Sequence, residues 1–215
     1  MNIQNNIIKH HLRNVLFVCG NACGGKTTMF RLLAEKYGFT LYDMDETYDR
    51  HRAIADERHQ PDTCCHRTDF HEQWTRPPLE QAKWNLRSIV EQTEMVLVDL
   101  MQLAQDRTVV ADVLFSPAYT KEIVDYDHIV FLTVDRREIR KSYFNRPEKR
   151  GFYEFVKKQP LADLYFENLF QNLELTNDME QEQMRGTGFL MLERQPNSTT
   201  EGTLKRLEEH FGLTK

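Results

Sequence analysis

Gly20-Asn21-Ala22-Cys23-Gly24-Gly25-Lys26-Thr27 decides how the rest of this chain is read. It fits the pattern G-x-x-x-x-G-K-[ST], and its flanks fit as well. Before it, Asn14-Val-Leu-Phe-Val-Cys19 is a near-continuous apolar run, as in a strand buried on both faces. After it, Thr28 to Tyr37 sets Met29, Leu32, Leu33 and Tyr37 at helical spacing, and Gly38 is the stop. Glycines let backbone N–H groups close around a phosphate where a Cβ would obstruct them. Lys26 can then reach the β- and γ-phosphates, the Thr27 hydroxyl can ligate Mg²⁺, and the helix end adds its dipole. The loop from Gly20 to Thr28 is a candidate nucleotide site.

On either side of this unit the apolar pattern keeps alternating. Phe39 to Tyr42, Thr108 to Asp112, His128 to Thr133 and Gly188 to Leu192 read as further short strands. Pro77-Pro78 opens a long helix whose stripe runs Ala82, Leu86, Ile89, Val90, Thr93, Val96, Leu97, Leu100 and Leu103. The stretch from Asp135 to Asn172 reads as helical, and a last helix spans about Glu201 to His210. Strands separated by helices predict an α/β fold, three layers deep around a five-stranded parallel sheet. Ligands bind such sheets at the carboxyl ends of the strands. That rule selects Gly20 onward, Asp43 to Asp45, Asp112 and Asp135 onward.

The chain has 215 residues, with 28 Lys+Arg against 33 Asp+Glu and a formal charge of −5. The length suits one domain with an insertion. Mean hydropathy of −0.63, with no apolar run near membrane length, excludes a transmembrane helix. The net acidity argues against a long nucleic acid as partner. The start, Met1 to His11, lacks the basic-then-apolar run of a secretory signal. Cys19, Cys23, Cys64 and Cys65 make a poor disulfide framework, so a reduced cytoplasmic setting is expected. Cys64, Cys65, His66 and His71 cluster, but no C-x-x-C spacing supports a zinc site.

The motif and its context resemble the P-loop kinase superfamily, which holds nucleoside monophosphate kinases, shikimate kinase and gluconate kinase. The resemblance spans most of the chain and implies the strand order 2-3-1-4-5, with ATP and Mg²⁺ as cofactors. Tyr42-Asp43-Met44-Asp45 is similar to the Asp-x-Asp of shikimate kinase. By that match Asp43 would help hold the hydrated Mg²⁺, and Asp45 would position the acceptor hydroxyl or take its proton. The residues themselves allow this, since two carboxylates just past a strand end can both face a crevice; Asp45 as a mere N-cap is the plain alternative. Asp112 ends a hydrophobic strand, as an Mg²⁺-binding acid does. The glycine-rich turn that follows it in shikimate kinase is missing here, which argues against shikimate as substrate.

Residues 135–160 resemble the lid of that superfamily, with Arg140 and Arg146 the first candidates to close on the transferring phosphoryl group, then Arg150 and Arg137. Arg194, in the loop after the fifth strand, falls where the base would stack. Residues 47–105 correspond to an acceptor-binding helical insertion in a single 1–215 domain. There Arg52, Arg58 and Arg76 are the contact candidates, among His51, His59, Arg67, His71, Trp74 and Trp84. A kinase acting on a small-molecule hydroxyl is the leading expectation. A nucleoside monophosphate kinase and an NTP-binding regulatory module remain alternatives.

Overall fold

Val15–Gly20 forms β1 at the centre of the sheet because its side chains satisfy both faces at once. Val15, Phe17 and Cys19 enter one apolar core, while Leu16 and Val18 enter the other. The protein is described by a computed structural model covering residues 3–64, 70–113 and 115–214. Cys65, His66 and Arg67 therefore lie outside the described residues.

In chain order, α1 (Asn5–His11) precedes β1, and α2 (Lys26–Tyr37) leads to β2 (Thr40–Asp43). Five helices follow: α3 (Met44–Ile54), α4 (Pro61–Cys64), α5 (Phe70–Thr75), α6 (Pro78–Glu91) and α7 (Thr93–Leu103). Then come β3 (Val109–Asp112), α8 (Pro117–Ile123), β4 (Ile129–Val134), α9 (Arg136–Ser142) and α10 (Arg150–Lys157). The chain closes with α11 (Ala162–Arg185), β5 (Leu190–Arg194) and α12 (Thr200–His210).

All five strands are parallel, in the order β2-β3-β1-β4-β5. One face of the sheet is covered by α2 and α12, through Met29, Phe30, Leu33 and Leu207. The other is covered by α1, α7, α8 and α11, through Ile8, Leu100, Ile123 and Met184. This is the three-layer α/β/α arrangement.

Two details depart from the periodicity. The long helix expected from Pro78 is broken at Gln92, whose carboxamide donates to the Ser88 carbonyl and meets the His51 ring. The break lets the apolar stripe change direction: α6 faces the carboxyl end of the sheet, while Val96, Leu97 and Leu100 of α7 pack beneath it. At the start, the polar segment forms α1, anchored by a single buried residue, Ile8.

Candidate functional site

The loop after β1 is shaped by one backbone carbonyl. Leu132 of β4 accepts a hydrogen bond from the Asn21 N–H at 3.0 Å. A Cβ placed on Gly20 would sit 1.9 Å from that oxygen, and one on Gly24 would sit 2.4 Å from it. Gly20 also has φ +134, so the position needs glycine twice over. Cys23, at φ 65, is the sole non-glycine positive φ among the described residues, and such strain concentrates at functional loops. Lys26 and Thr27 then open α2 with their N–H groups toward the loop's mouth.

Around Lys26 the charges are concentrated and mostly buried. Its ammonium lies 3.6 Å from the Asp112 carboxylate at the end of β3. Burial pulls its pKa down, but Asp112, Glu180 and Asp45 outweigh this and hold it above the usual lysine value. Burial pushes Asp112 up to about 7, opposed by Lys26 and reinforced by Asp43 and Asp45. Glu180 of α11 is also pushed up to about 7 by burial, opposed by Lys26 and by the hydrogen bond it accepts from the Asn21 side chain at 2.8 Å. Both acids interact, so they titrate as a coupled set.

Their sign gives a prediction. A carboxyl raised in the folded state binds more protons there than when unfolded, so its contribution is present at low pH and lost on the way to about 7. Thermal unfolding of the ligand-free protein between pH 5 and about 7 should show that loss in the wild type. Glu180→Gln keeps an acceptor for Asn21 and removes the charge. It should show a shallower fall and a higher Tm above neutrality. Parallel profiles would mean that Glu180 is ionised throughout.

Asp43 and Asp45 flank the start of α3, and the structure settles which one caps it. The Asp43 carboxylate accepts the Asp45 N–H at 2.9 Å, so Asp43 is the N-cap and Asp45 projects from the first turn. Burial, then the neighbouring Asp45, raises Asp43. Both line a cavity of about 760 Å³ together with Gly20, Ala22, Lys26, Thr27 and Asp112. Arg146 and Lys149 line it too, each with its charge over the Tyr143 ring, at 4.7 and 5.7 Å. The electrostatic surroundings of Cys23 include Arg146, Arg194, Lys26 and Lys149, which places these four cations around the phosphate loop.

Several expected residues stand elsewhere. Arg140 does not line the cavity: its guanidinium is held by Glu167 and Glu174 of α11. That double pairing makes it a clamp between α9 and α11 rather than a free fork for phosphate. Arg137 is likewise turned back onto Asp135. Arg52 lines a separate hollow with Asp49, Asp56 and Cys64, and Arg58 lies exposed beside Asp56. Arg76 donates to the Gln81 side chain and lies over the Trp84 ring, behind the cavity wall. Arg194 lines a small hollow of about 130 Å³ with Gly24, Gly25, Thr28 and Ser198. Among the described residues no group of three or more His, Cys, Asp and Glu side chains could hold a metal ion, and Cys65 and His66 lie outside them.

Sequence reasoning missed the wall supplied by α11. Tyr165, Leu169, Asn172, Asn177, Glu180 and Met184 are all buried along it. A signal was present, because polar residues occupy the positions where an apolar stripe should continue. Among the described residues the carboxamide of Asn177 has no hydrogen-bond partner at either atom, and neither does Oδ1 of Asn21. Buried amides left unpaired cost about 1–3 kcal/mol each, so the folded chain keeps unmet polar capacity at this cavity.

No protein-family profile and no curated protein matches this chain. Solved structures do. The crystal structure of TT1252 from Thermus thermophilus superposes with a TM-score of 0.55 at 16% identity, covering 94% of this chain and 98% of that one. Shikimate kinase from Acinetobacter baumannii, in complex with shikimate, gives a TM-score of 0.49 at 15% identity, covering 93% of each. At such identities the likeness is one of fold. The chain has a P-loop kinase-like fold, with the strand order 2-3-1-4-5 and the glycine-rich loop after its central strand. Among the described residues no helix is long and apolar enough to cross a membrane.

Proposed function

We propose that the protein is an ATP- and Mg²⁺-dependent phosphotransferase acting on a small molecule at a hydroxyl group. One observation carries this reading. A single cavity is lined at once by the phosphate loop, by Asp43, Asp45 and Asp112, by Arg146 and Lys149, and by side chains of α5, α6, α10 and α11. A regulatory NTP-binding module has no use for an acceptor chamber joined to its phosphate loop. A monophosphate acceptor would call for arginines beyond the one that serves the transferred phosphoryl group; Arg146 lines the chamber, while Arg52 and Arg58 stand outside it.

The residues present fit Mg²⁺. It is held by few protein oxygens, with water and phosphate completing its shell. Thr27, Asp43 and Asp112 share the cavity, the Asp43 carboxylate accepts the Asp45 N–H, and Asp112 meets Lys26 at 3.6 Å. When bound, the ion would neutralise charge on the phosphate oxygens.

The chain's own groups supply the rest. The loop amides and Lys26 hold the triphosphate, and Arg194 borders the hollow for the base. Residues 135–160 act as the lid, with Arg146 and Lys149 countering charge on the transferred group. Residues 47–105, through α5 and α6, form the acceptor side. The acceptor oxygen bonds to the γ-phosphorus, the bond from that phosphorus to the β–γ bridging oxygen breaks, and the hydroxyl proton passes to Asp45 and on to solvent.

ADP release from purified protein, ATP and Mg²⁺ with pooled sugars, polyols, antibiotics, nucleosides and nucleoside monophosphates tests this. Acceptor-dependent turnover is expected. Acceptor-independent hydrolysis, or none, would replace the kinase by a switch. Asp45→Asn is expected to lower kcat by about 10²–10⁴ while nucleotide affinity stays within twofold, because a proton acceptor acts only in the transfer step. Unchanged kcat would return Asp45 to a surface role.

A further inference from the structure

We propose that the acceptor is a neutral, hydroxyl-rich molecule with one flat or apolar face, a glycoside or a nucleoside by its chemistry, seated against the carboxamides of α6 and α11. This deepens the phosphotransferase reading and rests on it for the reaction, though not for the binding.

Asn177 is the starting point. It is 2% exposed, lines the cavity, and neither its Nδ2 nor its Oδ1 has a hydrogen-bond partner among the described residues. A carboxamide shows a donor and an acceptor side by side. A hydroxyl group satisfies both. A carboxylate or phosphate can use only the N–H groups and leaves Oδ1 facing more oxygen.

The neighbouring wall has the same character. Arg76 donates to Gln81 at 3.2 Å, Gln81 to Asn85 at 3.0 Å, and Asn85 to Asn172 at 3.4 Å. This relay holds the Arg76 guanidinium, which also meets Glu72, behind a row of neutral amides. The cavity's cations, Lys26, Arg146 and Lys149, gather instead at the phosphate loop, where the triphosphate needs them. Asp43 and Asp45 line the same cavity and would oppose an anionic acceptor. Trp74 lies 5.8 Å from Phe70 and 5.7 Å from Phe152, ring centre to ring centre, with the planes tilted by 50° and 43°, and these three rings line the cavity as an apolar patch.

The test starts from equilibrium binding to the full chain without nucleotide, by calorimetry. Methyl and aryl glycosides form one arm and nucleosides the other, each beside its charged counterpart, the uronate or the 5′-monophosphate. Neutral members of one arm should bind at least tenfold tighter than their charged partners, and the productive arm names the source. ADP release is then measured on the same panel. Asn177→Leu should raise the acceptor KM at least tenfold, leave the ATP KM unchanged and not lower Tm, since it removes an unpaired buried amide. Asn177→Asp, which keeps the shape, should weaken neutral acceptors equally. Equal or tighter binding of the charged members, no binding in either arm, or an unchanged acceptor KM in both variants would overturn the inference. Neutral binding without ADP release would overturn the phosphotransferase reading and leave this one standing. Turnover confined to anionic acceptors would do the reverse.

Discussion

Lys26→Ala is expected to lower kcat/KM by at least about 10³-fold, a loss of roughly 4 kcal/mol of transition-state stabilisation. The lysine is the cation at the loop's helix start, and its nearest counter-charge is Asp112. With nucleotide bound, that ammonium would face the phosphate oxygens in a largely buried setting, where one charge is worth far more than in water. The ligand-free fold should survive the change. Asp112 and Glu180 already sit near 7 with Lys26 present, and without it both move further toward their neutral forms. Nucleotide binding and ADP release would be measured alongside thermal unfolding. Activity within tenfold of wild type, in a protein that still binds nucleotide normally, would remove the phosphate-loop assignment.

Gly20→Ala should be the most damaging single substitution in the loop. Its Cβ would lie 1.9 Å from the Leu132 oxygen and 2.7 Å from both the carbon and the nitrogen of that residue. Leu132 cannot yield, because it is paired to Gly20 on one side and to Leu192 on the other within the sheet. Backbone clash and a φ of +134 together should cost more than about 4 kcal/mol, lowering Tm by roughly 10 °C or more, at 2–4 °C per kcal/mol for a chain this size. Gly25→Ala is the control. It has φ +98 but no atom within 4 Å of the added methyl, so only the dihedral cost of about 1–2 kcal/mol applies. Similar Tm losses for the two would show that the clash relaxes and that β4 is softer than its pairing implies.

The fold was legible because its evidence is local. A buried strand, a glycine-rich turn and an amphipathic helix stand consecutively at residues 14–37, and the remaining strands each announce themselves by apolar runs. The placement of Gly20, Lys26, Thr27, Asp43, Asp45 and Asp112 at one cavity was legible for the same reason: strand ends are where such sheets put ligands. Arginines were not. Whether a guanidinium is free depends on partners far away in sequence, and Arg140 finds Glu167 and Glu174 on another helix. A basic stretch reads identically whether its charges face a phosphate or a carboxylate. Glu180 and Asn177 escaped notice because acids and amides on a helix usually point to water, and only the tertiary fold turns that face inward.

That long helix has a chemical gradient along it. Near its start Glu167, bound by Arg140 and then Gln171, is held down to about 2. Near its end Glu180, enclosed beside the phosphate loop, is pushed up to about 7. Two glutamates on one rod are thus driven in opposite directions, set by depth and partner rather than by residue type. A carboxyl ¹³C titration of α11 would resolve them as separate steps. Around neutral pH only the inner of the two would move, coupled to Asp112, and its signal would report on what occupies the loop.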